Sequence, residues 1–279
     1  MKLITFTSAG AASAIGILDG DEVVPLGAEF PTNMADFVAL GPAGLERAAA
    51  VTASAPRIAA DDVRLLAPIR PPNNVMCVGK NYVEHAQEFN SSGFDASAKH
   101  AVPAAPVIFT KALSSLVGPG DGVRVSDDPT ATSDYEGELA VVLGSGESVY
   151  GYTIVNDVTI RELQKRHVQF FIGKSAATYC PMGPVLVTAD EIADVGALRV
   201  QTRINGELRQ DAPVQDLIFD IPQLIATISV VVRLEAGDVI STGTPAGVGI
   251  GFTPPRFLAP GDHMEVTIDG IGKLANPCI

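Results

Sequence analysis

Three acidic residues have the types and spacing to hold a metal ion. Glu136 and Glu138 are separated by one glycine at the start of an alternating, strand-like run, and Asp157 interrupts the apolar run YTIVNDVT. Side chains at i and i+2 of a strand share a face, roughly 7 Å apart, so the two glutamates are predicted to lie side by side. The residues that follow, LAVVLG, are too apolar for a solvent face. Crowded carboxylates beside a core need a cation or protons to neutralise them.

Oxygen ligands favour Mg²⁺, Mn²⁺ or Ca²⁺ over zinc, which usually draws nitrogen or sulfur ligands, and the acidic cluster contains no histidine or cysteine. The alternative is a solvated strand edge with one incidental acid in the core, because i, i+2 acidic pairs are common on exposed strands. The local pattern leaves both interpretations open.

A second candidate is an acid-base pair in the segment GKNYVEHAQEF. This segment predicts a short helix in which Asn81 is the N-cap and Glu84 stands in capping-box spacing. His85 and Glu88 share a face of that helix at i, i+3, so the carboxylate can orient the imidazole as a general base for water. The alternative is an exposed pair that forms a weak surface contact.

The loop NSSGFDASAKHAVPAA follows this helix directly. A mobile loop beside an acid-base pair is a common way to exclude water from an active site, although an ordinary surface loop has the same composition. We predict a lid over residues 83 to about 104, in which Phe89, Phe94 and His100 shape the substrate pocket.

Composition restricts the classes of partner. The chain has 279 residues, 47% of them hydrophobic, and a net charge of −13, which opposes binding to nucleic acid and to anionic membrane surfaces. Small molecules are therefore the expected partners. The three cysteines lie far apart without a CxxC pair, which favours a reducing cytoplasm, and the longest apolar run, IPQLIATISVVV, is too short to span a membrane.

The proline-rich stretch APIRPPNN predicts a boundary between a small N-terminal domain, residues 1–67, and a main domain, residues 68–279. In the first part, SAIGIL and DEVVPL predict a hairpin that turns at Asp19 and Gly20. In the second part, short punctuated runs predict a mainly β core. They include VMCVG, GVRVS, GELAVVLG and HMEVTIDG, with helices predicted at YVEHAQEF, RELQKRH and IPQLIATIS.

Several separated motifs together resemble the fumarylacetoacetate hydrolase family from residue 70 to the C-terminus. They are GKNYVEHAQEF, DYEGELAVVLG, GYTIVNDVTIRELQ, FIGKSAATYCPMGP, TRINGELRQ and GDVISTGTPAGVG. The resemblance implies an α+β, mainly β fold, with a mixed β-roll core behind a small N-terminal domain, and a homodimer. It also implies that Glu136, Glu138 and Asp157 hold Mg²⁺ or Mn²⁺.

The same resemblance implies roles for seven further residues. It assigns catalysis to His85, Glu88 and Lys174, and substrate binding to Arg161, Gln164, Thr244 and Lys80. Lys80 stands where several members of the family carry arginine, and lysine does not grip a carboxylate in the same two-pronged way.

The expected chemistry begins with a 2-oxo acid that chelates the metal, which then stabilises an enolate. Three reactions share that intermediate: hydrolysis of a carbon–carbon bond in an acylpyruvate-like diketo acid, decarboxylation of an oxaloacetate-type acid, and enol–keto isomerisation. The joint presence of His85 and Glu88 favours hydrolysis, which gives pyruvate or a related oxo acid. Two other classes stay open, a noncatalytic metal-stabilised binding protein and a structural homodimer module.

Overall fold

The computed structural model describes residues 1–8, 12–52, 54–95 and 101–279, and strands dominate its regular structure. The strands are β1 (Lys2–Thr7), β2 (Ala14–Asp19), β3 (Glu22–Pro25), β4 (Ile58–Ala59), β5 (Arg64–Leu65), β6 (Val75–Gly79), β7 (Val107–Lys111), β8 (Leu116–Val117), β9 (Ser133–Asp134), β10 (Gly137–Leu143), β11 (Val149–Asn156), β12 (Thr159–Ile160), β13 (Cys180–Thr188), β14 (Arg199–Ile204), β15 (Glu207–Pro213), β16 (Val239–Ser241), β17 (His263–Ile268) and β18 (Gly272–Pro277). The helices are α1 (Met34–Ala39), α2 (Gly41–Thr52), α3 (Val83–Ser91), α4 (Arg161–His167), α5 (Phe171–Lys174) and α6 (Ile221–Ser229).

One large mixed sheet forms the centre of the molecule. Its strands run in the order β4-β3-β2-β1-β13-β11-β10-β16-β6-β7, while β5 pairs with β1 and β8 pairs with β13. The β6–β16 and β8–β13 pairs are parallel. A separate antiparallel sheet has the order β15-β14-β17-β18, and β9 pairs with β12. The predicted mainly β architecture is confirmed.

Strand β10 lies at the middle of the large sheet and is buried along its whole length. Leu139 and Val141 belong to a core cluster with Val266 of the four-stranded sheet, whereas Ala140 belongs to a second cluster with Phe37 of α1. Alternate residues of a strand face opposite sides, so both faces of β10 are covered. The carboxylates at its beginning are consequently held on a rigid, dry element.

The N-terminal segment adds strands to the same sheet. Strand β1 pairs with β13, with Leu3 opposite Leu186, and β2 to β5 continue outward from it. The division of the chain at residue 67 stays a prediction.

The N-terminal hairpin forms, but its turn lies one residue later than predicted. Asp19 pairs with Glu22, so Gly20 is the first of the two turn residues, and its φ of +62° suits that position.

Most of the predicted elements form, and GVRVS is the clear exception. The amide of Val125 donates to the carbonyl of Val123 at 2.9 Å, which closes a local turn in place of a strand ladder. Helix α6 begins as predicted, because Asp220 accepts a hydrogen bond from the amide of Gln223 at 2.9 Å. Within the described residues, no helix combines the length and the hydropathy needed to cross a membrane.

Candidate active site

The three acidic residues meet because β10 and β11 are antiparallel neighbours. Gly137 pairs with Asn156, so Glu136 and Asp157 lie at adjacent strand ends, and the amide of Asp157 donates to the carbonyl of Glu136 at 2.8 Å. One carboxylate oxygen from each of Glu136, Glu138 and Asp157 lies within 4.8 Å of the others, and all three residues are buried. The interpretation as a solvated strand edge is therefore wrong.

The glycine between the two glutamates is required by a close approach of the second sheet. A Cβ at Gly137 would lie 2.2 Å from Oγ1 of Thr202 and 2.9 Å from a methyl group of Val266. Any side chain at this position would separate the two sheets and displace both neighbouring carboxylates.

Two buried lysines neutralise part of the carboxylate cluster. Lys174 Nζ lies 2.7 Å from Glu136 Oε2 and 2.8 Å from Asp157 Oδ2. Lys111 Nζ lies 2.6 Å from the other oxygen of Asp157 and donates to the carbonyl of Val158 at 3.0 Å. Asp157 is thus held between two ammonium groups.

Arg161 links the cluster to a fourth carboxylate. Its Nε donates to Asp134 Oδ2 at 2.9 Å, and its Nη1 lies 2.6 Å from Glu136 Oε1 and 3.1 Å from Gln164 Oε1. Asp134 is fixed in turn by the amides of Gly249, at 2.6 Å, and of the next residue. The buried Nη2 of Arg161 has no hydrogen-bond partner in the described part of the chain, so it is available to a ligand in the pocket.

Burial and neighbouring charges move the pKa values of the two glutamates in opposite directions. Burial raises the pKa of Glu138 well above its usual value, and the nearby Asp157 and Glu136 raise it further. Burial also opposes ionisation of Glu136, but Lys174 and Arg161 outweigh it and lower the pKa of Glu136 to about 2. Burial disfavours the ammonium form of Lys174, yet Asp157 and Glu136 reverse this and raise its pKa. Glu136 is therefore anionic and Lys174 cationic, while Glu138 forms no ion pair with a cationic side chain in the described part of the chain.

The donor set fits a hard divalent cation. Four carboxylates face three cationic side chains, which leaves one negative charge in excess when all are ionised. The carboxylates are Glu136, Glu138, Asp157 and Asp134, and the cations are Lys111, Lys174 and Arg161. A divalent cation on oxygen ligands would change this excess to one positive charge, which suits an anionic substrate.

His85 and Glu88 project from α3 beside this cluster. His85 Nδ1 and Glu88 Oε2 are 3.3 Å apart, and the imidazole is buried, so the interpretation as an exposed surface pair is wrong. The amide of Gly247 donates to Glu88 Oε1 at 3.0 Å and so fixes the carboxylate. Gly247 has a φ of +102°, and a Cβ there would lie 1.9 Å from the carbonyl of Arg209, so only glycine fits.

Asn81 does not cap α3, and the predicted capping box is absent. Tyr82 is the N-cap and forms no side-chain capping bond. The Asn81 side chain is buried instead, where it donates to the carbonyls of Phe219, at 3.0 Å, and Thr242, at 2.8 Å, and accepts from the amide of Phe219. Asn81 therefore anchors the turn that leads into the helix.

One pocket brings most of the predicted site residues together. Its lining includes Lys80, His85, Phe89, Glu136, Arg161, Gln164, Lys174 and Thr244, with Val78, Gly79, Phe109 and Phe170. The ring of Phe170 packs edge-on against Phe109 at 5.3 Å and against Phe89 at 6.4 Å. These three rings form an aromatic wall, and the cationic groups of Lys80, Arg161 and Lys174 lie over two of its rings, Phe89 and Phe109.

Three predicted pocket residues depart from the roles expected of them: Thr244 lines the pocket with its hydroxyl already engaged, Phe94 lies outside the pocket, and His100 is not described. The Thr244 hydroxyl donates to the carbonyl of Gly137 at 3.0 Å and accepts from Gln210 at 2.7 Å, so internal bonds engage it. Phe94 packs against Phe257 at 6.1 Å and does not line the pocket. His100 and its neighbours, residues 96–100, lie outside the described residues.

Sequence reasoning missed four residues of the site. Lys111 and Asp134 form the buried ion pairs described above, and Ser241 donates to Glu138 Oε2 at 2.5 Å. Asp95 pairs with Lys80, and both side chains are almost fully buried. A charged residue closing the apolar run VIFTK was the available signal for Lys111.

Comparison with known proteins identifies the family of this chain. Residues 74–279 match the family model described as fumarylacetoacetate (FAA) hydrolase C-terminal. The chain is 51% identical over 226 residues to the oxaloacetate tautomerase YisK of Bacillus subtilis, an alignment that covers 77% of this chain and 73% of the relative.

Two solved structures extend the comparison to the whole chain. A fumarylacetoacetate hydrolase from Exiguobacterium antarcticum superposes with a TM-score of 0.84 at 42% identity, covering 100% of this chain and 99% of that one. A maleylpyruvate hydrolase from Sphingobium sp. SYK-6, in complex with manganese(II) and pyruvate, gives a TM-score of 0.82 at 27% identity with the same coverage.

Proposed function

Because the chain belongs to the fumarylacetoacetate hydrolase family, we propose that it is a divalent-metal-dependent enzyme that interconverts the enol and keto forms of a small 2-oxo acid. Oxaloacetate is the first substrate to test, because the relative that is 51% identical is named an oxaloacetate tautomerase. The observation that carries the proposal is one pocket whose lining includes Glu136 of the buried three-carboxylate cluster, the buried imidazole of His85 and the buried ammonium group of Lys174.

Glu136, Glu138 and Asp157 are the residues that would hold Mg²⁺ or Mn²⁺. When bound there, the ion supplies charge stabilisation for an enolate oxygen. The protein's own groups divide the remaining work. Arg161, whose Nη2 is available, binds a substrate carboxylate, and the aromatic wall of the pocket excludes water from the reacting carbon.

His85 is the proposed base. It removes a proton from carbon 3 of the keto acid, and the imidazolium then transfers that proton to the enolate oxygen, which gives the enol and restores the neutral imidazole. Glu88 orients the imidazole through the 3.3 Å contact with Nδ1, and it stabilises the imidazolium that forms. The reverse sequence returns the proton to carbon.

Hydrolysis of a carbon–carbon bond is the second candidate, as favoured by the sequence. Glu88 is fixed by a backbone amide and His85 is fixed by Glu88, an arrangement that can also activate water. The structural relative named maleylpyruvate hydrolase supports this candidate at lower identity.

The test follows the loss of the enol substrate and the release of two possible products, CO₂ and pyruvate. Purified protein is mixed with Mg²⁺ or Mn²⁺ and with freshly dissolved enol-oxaloacetate, and the loss of enol absorbance is followed while CO₂ and pyruvate are measured separately. We expect faster enol loss without release of either product. A parallel panel of acylpyruvates tests hydrolysis by the appearance of pyruvate. His263→Ala, an exposed histidine on β17, is the matched control for His85→Ala. Enol loss at the uncatalysed rate contradicts tautomerisation.

We also propose, on the predictions made from sequence, a homodimer in a reducing cytoplasm. The three cysteines are buried free thiols, which supports the reducing compartment. Light scattering of the purified chain tests the dimer, and a monomeric mass contradicts it.

A further inference from the structure

An ion pair joins the pocket wall to the chain just beyond α3. The Lys80 ammonium contacts the Asp95 carboxylate, and the two side chains are only 2% and 1% exposed. Lys80 lines the pocket that contains His85 and Arg161. Its φ of +56° lies in the left-handed region, which is unfavourable for residues other than glycine. Such a conformation persists where the surrounding structure fixes it, and here it sets the direction of a cation in the pocket.

The buried ammonium group of Lys80 is stable only when an anionic group lies beside it. An unpaired ammonium group in a dry pocket is costly, and the ring of Phe89, 5.3 Å from Nζ, covers the charge without neutralising it. Asp95 meets this requirement in the structure. A carboxylate of a substrate in the same pocket is the chemically equivalent replacement.

We propose that Asp95 is an internal substitute for a second carboxylate of the substrate, and that a dicarboxylic 2-oxo acid displaces it from Lys80. This inference rests on the proposed function for the class of acid. One carboxylate replaces another, so Lys80 stays neutralised throughout the exchange. A dianion that entered with Asp95 still in place would add repulsion between like charges, whereas a monocarboxylic acid leaves the pair intact.

The Lys80–Asp95 pair is also connected to α3, the helix that carries the proposed base His85. Asn90, in the last turn of α3, lies 3.4 Å from the Asp95 carboxylate, and Lys80 lies shortly before the start of α3. Release of Asp95 therefore removes one contact between the C-terminal end of α3 and Lys80, while Phe89 keeps the helix packed against Phe170. Lys80 and Asp95 together select for dianionic substrates.

The test compares a 2-oxo acid that has a second carboxylate with one that lacks it. Difluoro-oxaloacetate has two carboxylates and no proton on carbon 3, and pyruvate lacks the second carboxylate. Binding of each to the full chain with Mg²⁺ is measured by calorimetry for the wild type, Lys80→Met, Lys80→Arg and Asp95→Asn. Asp127→Asn, an exposed aspartate, is the matched control.

Opposite effects are expected from the two members of the pair. Lys80→Met should weaken binding of the dicarboxylate about 10- to 100-fold, the worth of one charge-assisted hydrogen bond, and leave pyruvate unchanged. Asp95→Asn should tighten the dicarboxylate, because the competitor is gone and Lys80 lacks an anion. Lys80→Arg should retain the preference for the dicarboxylate.

Weaker binding of the dicarboxylate to both Lys80→Met and Asp95→Asn would overturn the inference, as would parallel changes for pyruvate. If Lys80→Met does not fold, Asp95→Asn and Lys80→Arg decide the question. The dicarboxylate probe cannot tautomerise, so the outcome is independent of turnover. The expected shifts with an inactive wild type refute the proposed reaction alone, and an active wild type without the shifts refutes only this inference.

Discussion

Replacement of Lys111 by methionine tests whether the buried charges of the site are balanced as described. Lys111 is fully buried, 2.6 Å from Asp157 and 3.0 Å from the carbonyl of Val158, and methionine has a similar length without the charge. Removing one partner of a buried ion pair costs about 3 to 5 kcal/mol. At about 2 °C per kcal/mol for a chain of this size, the melting temperature should fall by about 6 to 10 °C.

The same change should improve metal binding. With Lys111 gone, Asp157 keeps only Lys174 as a cationic neighbour, so a divalent cation meets less repulsion and gains more by binding. We expect Mg²⁺ or Mn²⁺ to raise the melting temperature of the variant more than that of the wild type. Calorimetric melts with and without metal measure both effects, and Lys273→Met, an exposed lysine on β18, is the control. A melting temperature close to that of the wild type, or an equal response to metal, would refute the charge balance.

Four further predictions concern the carboxylate cluster, its pH dependence, the base and the lid. Glu138→Gln should abolish Mg²⁺ binding in calorimetry with the fold retained, and unchanged binding would show that the ligand assignment is wrong. In the metal-free protein, the raised pKa of Glu138 means that the folded state holds a proton that the unfolded chain releases, so its contribution to stability should fall as pH rises from about 4.5 upward. Denaturant unfolding of wild type and Glu138→Gln across this range measures the difference, and a contribution that grows with pH contradicts it. His85→Ala should lower tautomerisation by about 10² to 10⁴ with metal affinity retained. Loss of metal affinity as well would indicate a structural role for His85. Oxalate with Mg²⁺ should slow amide hydrogen exchange over residues 82–94, and unchanged exchange there would remove α3 from any closing motion.

The sequence could predict the elements whose local pattern and tertiary role agree. Helix α4 forms over the predicted segment RELQKRH. Helix α6 begins at its predicted cap, because the Asp220 side chain has no hydrogen-bond partner among the described residues other than the amide of Gln223. Asn81 shows the opposite case. It has the type and spacing of a cap, but its side-chain amide is hydrogen-bonded to three buried backbone groups, so it does not cap the helix. Local capping rules contain no information on those groups, which come from distant parts of the chain.

The carboxylate cluster also shows what a local sequence pattern leaves open, namely which of several nearby acidic side chains come together. Asp134, Glu136 and Glu138 alternate in sequence, so a strand pattern alone places all three on one face. The chain separates them between β9 and β10, and Asp134 binds Arg161 and the amide of Gly249 in place of joining the cluster. Only the tertiary position of Arg161 distinguishes the carboxylate that positions an arginine from those that could bind a metal.

The short segment 243–248 has a consequence for how this enzyme could diversify or be redesigned. The amide of Gly243 holds Glu138 at 2.9 Å, Thr244 lines the pocket, and the amide of Gly247 holds Glu88. One loop thus sets the spacing between the proposed metal ligands and the proposed base, so an insertion there would misalign both at once. New specificities are best sought by exchanging the segment after α3 between relatives, with the 243–248 loop kept at its native length.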